Sequence, residues 1–456
     1  MSSRLSKTLI AAVAMLAAAL PGARAACAQG AAEAAVGAAA QYTVKIETTV
    51  SIPVDPNDEA GVFTGAGFVV DAVRGWIVTN AHVASRSPAR IRVRSREGGW
   101  TPARRVYVDP YLDVAVIAAV DRAVLNVATQ ASLDCDGTPA IGHPVGAFGH
   151  PWGLDFTGTR GIVAGAGEHY EAGALLTDAA INDGNSGGPL ISLVTGKVVG
   201  VNTSALEEKG VQNLNFAVKA RYVCRILDLL LAGRDPSPPA RSLVFFAGAE
   251  QAGALKVARN FMPPGSLALQ PGDVITGVAG GARPIDEESE FVDAVRGRLD
   301  ALELRIERGG REQVLTGRLP RMEKLLDRRA VYASGVVFGQ ARSFDPSEIN
   351  FSPIATCYVE DGSIGKSAGF EPCDAVETVD GAPATDLPEL YRRLQAAQAA
   401  GRAVGVAVKR IAGLKGRSFF EYRELSLPIE ALHWVRVEDE GLPANGASAS
   451  MTPEPR

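Results

Sequence analysis

Between Tyr42 and Val218 the chain is broken into short runs of aliphatic and β-branched residues separated by turn residues. Examples are Tyr42–Val50 (YTVKIETTV), Gly67–Asp71, Trp76–Asn80, Ala89–Arg94, Val114–Val120 and Lys197–Asn202. Strands at this density, without intervening helices, predict an all-β barrel or sandwich. The 49 glycines and the low aromatic content of 6% agree with many tight turns. One helix is predicted to close the region at Arg221–Leu231, where Val223, Ile226, Leu227, Leu230 and Leu231 fall at helical spacing and Gly233 can stop the run.

Beyond it, Gly233–Ala240 (GRDPSPPA) carries Pro236, Pro238 and Pro239, which disfavour both helix and central strand, so the segment reads as a linker. A theme then occurs twice. PPGSLALQPGDVITGVAG (Pro263–Gly280) precedes a helical stretch and LELRIERGGREQVLTGRL (Leu302–Leu319); EDGSIGKSAGFEPCDAVETVDG (Glu360–Gly381) precedes helical Leu387–Ala399 and VGVAVKRIAG (Val404–Gly413). Gly-Ser, Pro-x-Asp, apolar strand, Gly turn, helix and strand pair recur in that order, as an internal duplication of a small α+β domain would require.

A chain of 456 residues has room for two to four domains. Its net charge is −5, with no Lys/Arg block interleaved with aromatics, which leaves no electrostatic footprint for nucleic acid. Arg4 and Lys7, the apolar run Leu9–Leu20 and small-residue cleavage sites at Ala23-Arg24-Ala25 and Ala26-Cys27-Ala28 read as an export signal, with a retained anchor as the alternative. Residues 29–41, rich in Ala and Gly, read as a flexible lead-in. Among five cysteines, Cys357 and Cys373 fall in one domain and are the pair considered for a disulfide. No Cys/His spacing suits a metal.

Three segments carry chemistry: IVTNAHVA (Ile77–Ala84), YLDVAVI (Tyr111–Ile117) and DAAINDGNSGGPL (Asp178–Leu190). A serine hydroxyl needs a base to take its proton and N–H donors aimed at the oxyanion it creates. Ser186, flanked by Gly184, Gly187 and Gly188, sits where a sharp, N–H-rich turn is permitted. Of the five histidines, His82 directly follows a strand that would hold its ring. Asp113 precedes the apolar Val114–Ile117, where an unpaired charge is costly and an imidazole partner would satisfy it. The chain order His, Asp, Ser is the chymotrypsin-type order.

With these motifs the sequence resembles the HtrA/Deg serine proteases: GAGFVV (Gly65–Val70), VTNAHV (Val78–Val83), DVAV (Asp113–Val116), GHPWGLDFTGTRGIVAGAG (Gly149–Gly167), LLTDAAINDGNSGGPL (Leu175–Leu190) and GKVVGVNTS (Gly196–Ser204). The resemblance spans 42–232, and the two repeats look like the PDZ domains of that family. It implies a mainly β fold, a chymotrypsin-like double β-barrel followed by two small α+β PDZ-like domains. His82 would be the general base, Asp113 its orienting partner and Ser186 the nucleophile. The N–H groups of Gly184 and Ser186 would form the oxyanion hole. Ile181 with Val201, Asn202 and Thr203 would line a pocket for a small aliphatic residue. Ser334, Gly335 and Val336 would hold a peptide carboxylate. Departures are Asp183 where proline is usual, a short Ser51–Ala60, Asn215-Phe216-Ala217-Val218 near the pocket, Ser266–Gln270 in place of an Ala-rich helix, and Cys373 for the usual Gly of Pro-Gly-Asp.

The resulting division is a signal peptide (1–28), protease domain (42–232), linker (233–241), PDZ-like domains (242–321 and 322–432) and disordered tail (437–456). The expected protein is a periplasmic endopeptidase acting on unfolded proteins, without metal or other cofactor. It would capture C-terminal peptides and assemble as a homotrimer or a multiple of trimers, with Tyr42 as a trimer contact. The alternatives are a non-proteolytic chaperone or PDZ adaptor, and a signalling protease of narrow specificity.

Overall fold

Apolar side chains of the first six strands gather on the inside of a closed barrel, and where a strand has one wet face its residues alternate, as along Ala89–Arg94. β1 (Thr43–Val50), β2 (Gly61–Asp71), β3 (Trp76–Asn80), β4 (Ala89–Arg94), β5 (Thr101–Val108) and β6 (Val114–Ala119) form a barrel in the order β1-β2-β3-β6-β5-β4. Val44 and Ile46 of β1 and Ile91 and Val93 of β4 point inward, while Arg90 and Arg92 face solvent. A second closed barrel follows. It is made of β7 (Pro144–Gly149), β8 (Thr157–Ala166), β9 (Ala174–Thr177), β10 (Pro189–Ser192), β11 (Val198–Ala205) and β12 (Asn215–Lys219), in the order β10-β11-β12-β9-β8-β7. This computed structural model describes residues 30, 32–125, 129–150, 155–167, 172–205, 214–246, 254–281, 285–341, 352–414 and 417–438. The expected signal peptide lies outside them. No helix among the described residues is long and apolar enough to cross a membrane.

The lead-in is not a flexible coil. Residues 32–42 form a helix, α1, whose Ala32, Ala35, Ala39 and Tyr42 lie on one buried stripe. Tyr42 is 3% exposed in the core of its own chain, so it is not placed to contact another subunit. α2 (Ala81–Ala84) carries His82, and α3 (Ala220–Leu231) packs back across the barrels, with Tyr222, Val223, Ile226 and Leu229 buried.

Among the described residues a disulfide joins Cys135, in the segment between the barrels, to Cys224 of α3, with Cα atoms 5.7 Å apart. Cys357 and Cys373 are not bridged. Their backbones meet, since the Cys373 N–H donates to the Thr356 carbonyl at 2.7 Å, but the Cys357 sulfur lies over Gly339 while Cys373 is exposed. The Cys135–Cys224 bridge closes a loop with a sequence separation of 89, and cross-links of this kind stabilise by about 2–4 kcal/mol. The Cys135→Ser/Cys224→Ser protein should therefore melt at lower temperature, with dithiothreitol lowering the wild type to match. An unchanged melting point would mean that the cross-link constrains nothing.

The duplication is visible as two sheets of related order. β13 (Leu243–Phe245), β14 (Leu255–Asn260), β15 (Val274–Val278), β16 (Leu302–Arg308) and β17 (Arg311–Gly317) run consecutively, with α4 (Glu288–Val295) between β15 and β16. In the second sheet β18 (Arg329–Ala333), β19 (Val336–Gln340), β20 (Ile354–Val359), β21 (Ala375–Val379), β22 (Val404–Leu414), β23 (Arg417–Leu427) and β24 (Leu432–Arg436) take the order β23-β22-β21-β20-β19-β18-β24. Its helices are α5 (Ile364–Ser367) and α6 (Leu387–Ala399). The Pro-x-Asp motif has the same task in both. Arg308 grips Asp273 at 2.6 and 2.7 Å, and Arg410 grips Asp374 at 2.6 and 2.7 Å, two forked ion pairs that pin a turn to the next strand. The position before each Asp is left-handed, at φ +96° for Gly272 and +68° for Cys373, so the second repeat holds a strained residue where the first has glycine. Ser266–Gln270 forms no helix, whereas α5 occupies the matching place in the second repeat.

Two expected boundaries shift. Pro236, Ser237, Pro238 and Pro239 are buried, so the linker is a packed strap rather than a loose tether. The last domain does not end at 432. β24 pairs along β18, Trp434 stacks on Tyr391 of α6 with ring centroids 5.0 Å apart, and Val437 is fully buried with its carbonyl accepting from Arg105 of β5. Of the expected tail, residues 439–456 lie outside the described residues.

Candidate active site

Strand pairing between β3 and β6 sets Asn80 opposite Val114, which brings the residues that follow β3 beside those that precede β6. The chain reaches β6 through a turn built on Asp109, whose Oδ1 accepts the N–H groups of Tyr111 and Leu112, both at 2.8 Å. That turn leaves Asp113 at φ +52° with its carbonyl held by the Ala81 N–H at 3.0 Å. The Asp113 carboxylate then meets His82: Oδ2 is 2.6 Å from Nδ1, and Oδ1 accepts the His82 backbone N–H at 3.0 Å. Burial pushes the Asp113 carboxyl up, but the His82 ring, the Arg86 guanidinium and the His82 N–H outweigh it and hold it below the usual range.

Ser186 arrives from the second barrel. Its carbonyl accepts the N–H of Ala66 in β2 at 2.9 Å, so the serine turn is tied to the first barrel. Two of its glycines answer to space. A Cβ at Gly187 would lie 2.2 Å from both the Ala66 carbonyl and the Thr79 hydroxyl, and one at Gly188 would lie 1.9 Å from the Phe148 carbonyl. Gly184 is left-handed at φ +98°, and among the described residues no acceptor takes the N–H of Gly184 or Ser186. The His150 N–H donates to the Gly184 carbonyl at 2.9 Å, bracing the turn from β7.

The Ser186 hydroxyl donates to the Thr203 carbonyl at 2.7 Å and so does not donate to His82 in this arrangement. The Thr203 hydroxyl donates to Asp113 Oδ2 at 3.1 Å. Thr203, expected only to line a pocket, therefore touches both ends of the constellation. The rest of the expected pocket is closed. Ile181 is 5% exposed, packed with Val145, Leu190 and Val199, and Val201 is fully buried in the core. Asn202 is also fully buried, its amide donating to the carbonyls of Phe148 and Pro189, so it braces the serine turn instead of facing substrate.

The other histidines are occupied elsewhere. His143 bonds Ser192 at 2.8 Å, His433 stacks on Tyr332, and burial pushes His150 down to about 4, which keeps it neutral near pH 7. His169 lies outside the described residues. Sequence reasoning missed Arg86, whose guanidinium reaches Asp113 Oδ1 at 2.5 Å; a lone arginine after a helix turn gives no signal for that.

Ser334, Gly335 and Val336 do not form a cradle. Ala333 pairs directly with Val336, and φ is +47° at Ser334 and +92° at Gly335, a two-residue type I′ hairpin. The Ser334 N–H donates to the Ala431 carbonyl, the Ser334 hydroxyl accepts from the Glu430 N–H, and the Ser334 carbonyl accepts from Gly365. β19 has β18 on one edge and β20 on the other, leaving no edge for an added peptide strand.

Residues 65–201 match the trypsin-like peptidase domain family. The chain is 33% identical over 243 residues to a probable periplasmic serine endoprotease DegP-like of Brucella suis biovar 1 (strain 1330), covering 49% of this chain and 46% of that protein. Against the periplasmic serine endoprotease DegP of Escherichia coli (strain K12) it is 32% identical over 234 residues, covering 47% and 48%. Against the serine protease Do-like HtrB of Bacillus subtilis (strain 168) it is 35% identical over 179 residues, covering 37% and 38%. The chain thus spans about half the length of the curated relatives it matches.

Proposed function

We propose, from the premise that this chain belongs to the HtrA/Deg family of serine proteases, that it cleaves peptide bonds with His82, Asp113 and Ser186 as its triad. The observation that supports this is the His82–Asp113 contact at 2.6 Å beside Thr203, whose hydroxyl bonds Asp113 and whose carbonyl takes the Ser186 hydroxyl, so that one residue links the serine of the second barrel to the His–Asp pair of the first. In the reaction the Ser186 side chain rotates off the Thr203 carbonyl and its hydroxyl proton passes to the imidazole. Oγ bonds to the substrate carbonyl carbon, and the N–H groups of Gly184 and Ser186 receive the oxyanion. His82 returns the proton to the leaving amine, giving an acyl-enzyme, and a water deprotonated by His82 releases the acid. Asp113 orients the ring and stabilises its charged form.

Substrate class, compartment and assembly belong to the same proposal: unfolded proteins in the periplasm, and a homotrimer or a multiple of it. The names of the relatives support the compartment. The two C-terminal sheets are taken as PDZ-like domains, and in the second of them the closed Ser334–Val336 turn gives no support to carboxylate capture at those residues.

A fluorophosphonate probe tests the nucleophile directly. The expected product is one adduct per chain, mapped to the peptide containing Ser186, and its formation should be blocked by saturating unfolded casein. An adduct at another residue, or none in protein that digests casein, would overturn the assignment.

A further inference from the structure

The Asp113 carboxylate is held more heavily than one imidazole requires. Oδ2 accepts from His82 Nδ1 at 2.6 Å and from the Thr203 hydroxyl at 3.1 Å. Oδ1 accepts from the His82 N–H at 3.0 Å and from Arg86 Nη2 at 2.5 Å. The first three contacts orient a catalytic aspartate. The fourth adds a full positive charge beside it.

Arg86 is itself built into place. Ser85 turns left-handed at φ +62° at the end of α2, which lets the chain fold the guanidinium back toward Asp113. Asp58, from the segment joining β1 and β2, accepts the Arg86 N–H at 2.8 Å and the Ser85 hydroxyl at 2.8 Å, and one of its oxygens lies 3.9 Å from Arg86 Nη1. The Arg86 side chain is 18% exposed, so solvent screens its charge only in part.

We infer that Arg86 is a positioning residue of the catalytic site, which clamps Asp113 through Oδ1 and keeps His82 unprotonated to lower pH than the His–Asp pair would allow alone. This rests on the protease function proposed above. A carboxylate raises the proton affinity of the imidazole it faces, and a guanidinium on the same carboxylate cancels part of that field. The sign follows. Removing the Arg86 charge strengthens the pull of Asp113 on the His82 proton and moves the acid limb of kcat/KM to higher pH.

The surrounding charges come from three directions. From the β1–β2 segment, Asp58 opposes Arg86; burial pushes the Asp58 carboxyl up against the pull of Ser85, Ser87 and Arg86. Asp55 of the same segment pairs with Arg328 at 3.6 Å. From β5, Arg105 donates to the carbonyls of Ser85 and Ser87 and is lowered to about 10 by burial, against the pull of Asp58, so it stays charged. From β11, Thr203 adds no charge. Arg86 is thus the cation bonded to Asp113, and Asp58 is the anion that tempers it.

The experiment is a kcat/KM–pH profile on an unfolded casein peptide, for wild type, Arg86→Gln and Arg86→Lys, each checked by thermal melting. Glutamine keeps a donor without charge; lysine keeps the charge without the fork. Arg86→Gln should move the acid limb up by about one pH unit, while Arg86→Lys holds it near the wild-type position with a lower plateau. A limb unmoved in Arg86→Gln, or moved equally in both variants, overturns the inference and leaves the protease function standing. Should Arg86→Gln melt below the assay temperature, Asp58→Asn replaces it. That variant leaves the guanidinium in place and removes its counter-charge, so the limb should move down; an unmoved limb there overturns the inference too. A folded wild type that neither digests casein nor takes up the fluorophosphonate overturns both.

Discussion

Ser186→Ala is expected to lower casein hydrolysis by about six orders of magnitude, with thermal stability unchanged. The reason lies in how the groups depend on one another. Without the hydroxyl, His82 and Asp113 still meet at 2.6 Å, but the imidazole has no nucleophile to deprotonate. What remains is the catalysis that oriented N–H donors supply alone, about 10³–10⁴-fold over water. His82→Ala should cost about as much, and the double variant no more than either single one, because the two act on one proton. Asp113→Ala should cost less, about 10⁴-fold, since it removes an orienting partner and not the base or the nucleophile. Quantitative casein digestion by purified variants measures all four. An alanine variant at 186 that digests at the wild-type rate would remove the triad from the protein.

Arg296→Met should destabilise the chain by about 3–5 kcal/mol, although residue 296 lies in the second domain, far along the sequence from the triad. Arg296 is fully buried, and its Nη1 lies 2.7 Å from Asp109 Oδ2. The Tyr107 hydroxyl donates to the same Asp109 oxygen at 2.8 Å, and Arg296 also donates to the Pro236 carbonyl at 2.5 Å. Burial pushes Arg296 down, but Asp109 and Tyr107 raise it further than burial lowers it, so the guanidinium stays charged. Methionine would leave the Asp109 charge in an apolar setting without its partner, which costs more than the ion pair contributes. For a domain of this size that corresponds to a fall of about 10 °C in the first thermal transition. Asp109 also caps the turn that leads to Asp113, so activity at moderate temperature should fall with it. A melting curve superimposable on the wild type would show that the interdomain pair carries no stability.

Much of this architecture was legible in the chain because it rests on local chemistry. Short β-branched runs between turn residues point to an all-β barrel or sandwich, the family resemblance adds that there are two barrels, and the order His82, Asp113, Ser186 points to the candidate site. Gly187 and Gly188 were legible as special, though for a partly different reason: the neighbouring strands leave no room for a Cβ. The Ala32, Ala35, Ala39, Tyr42 stripe carried a helical signal that an Ala/Gly-rich composition hid. Ser334-Gly335 between two apolar strands carried a hairpin signal, which the expectation of a peptide cradle obscured. Other features had no local trace. The pairing of Cys135 with Cys224 depends on a Cα separation that only the tertiary fold sets, and the grip of Arg86 on Asp113 depends on a left-handed Ser85. A proline-rich strap reads alike whether solvated or buried, and Pro236 is buried with its carbonyl accepting from Arg296, a partner remote in the chain.

The place of β24 bears on how the molecule is put together in time. Residues 432–437 emerge from the ribosome after everything they join: β18, the Arg328 carbonyl that takes the Val437 N–H, and Arg105 of the first barrel. Until then β18 has a bare outer edge, the kind of surface on which chains cross-pair. In a nascent or prematurely terminated polypeptide β18 would be the outermost strand of its sheet; once residues 432–437 are made, that margin passes to β24, whose end is tied through Val437 to Arg105 of the first barrel.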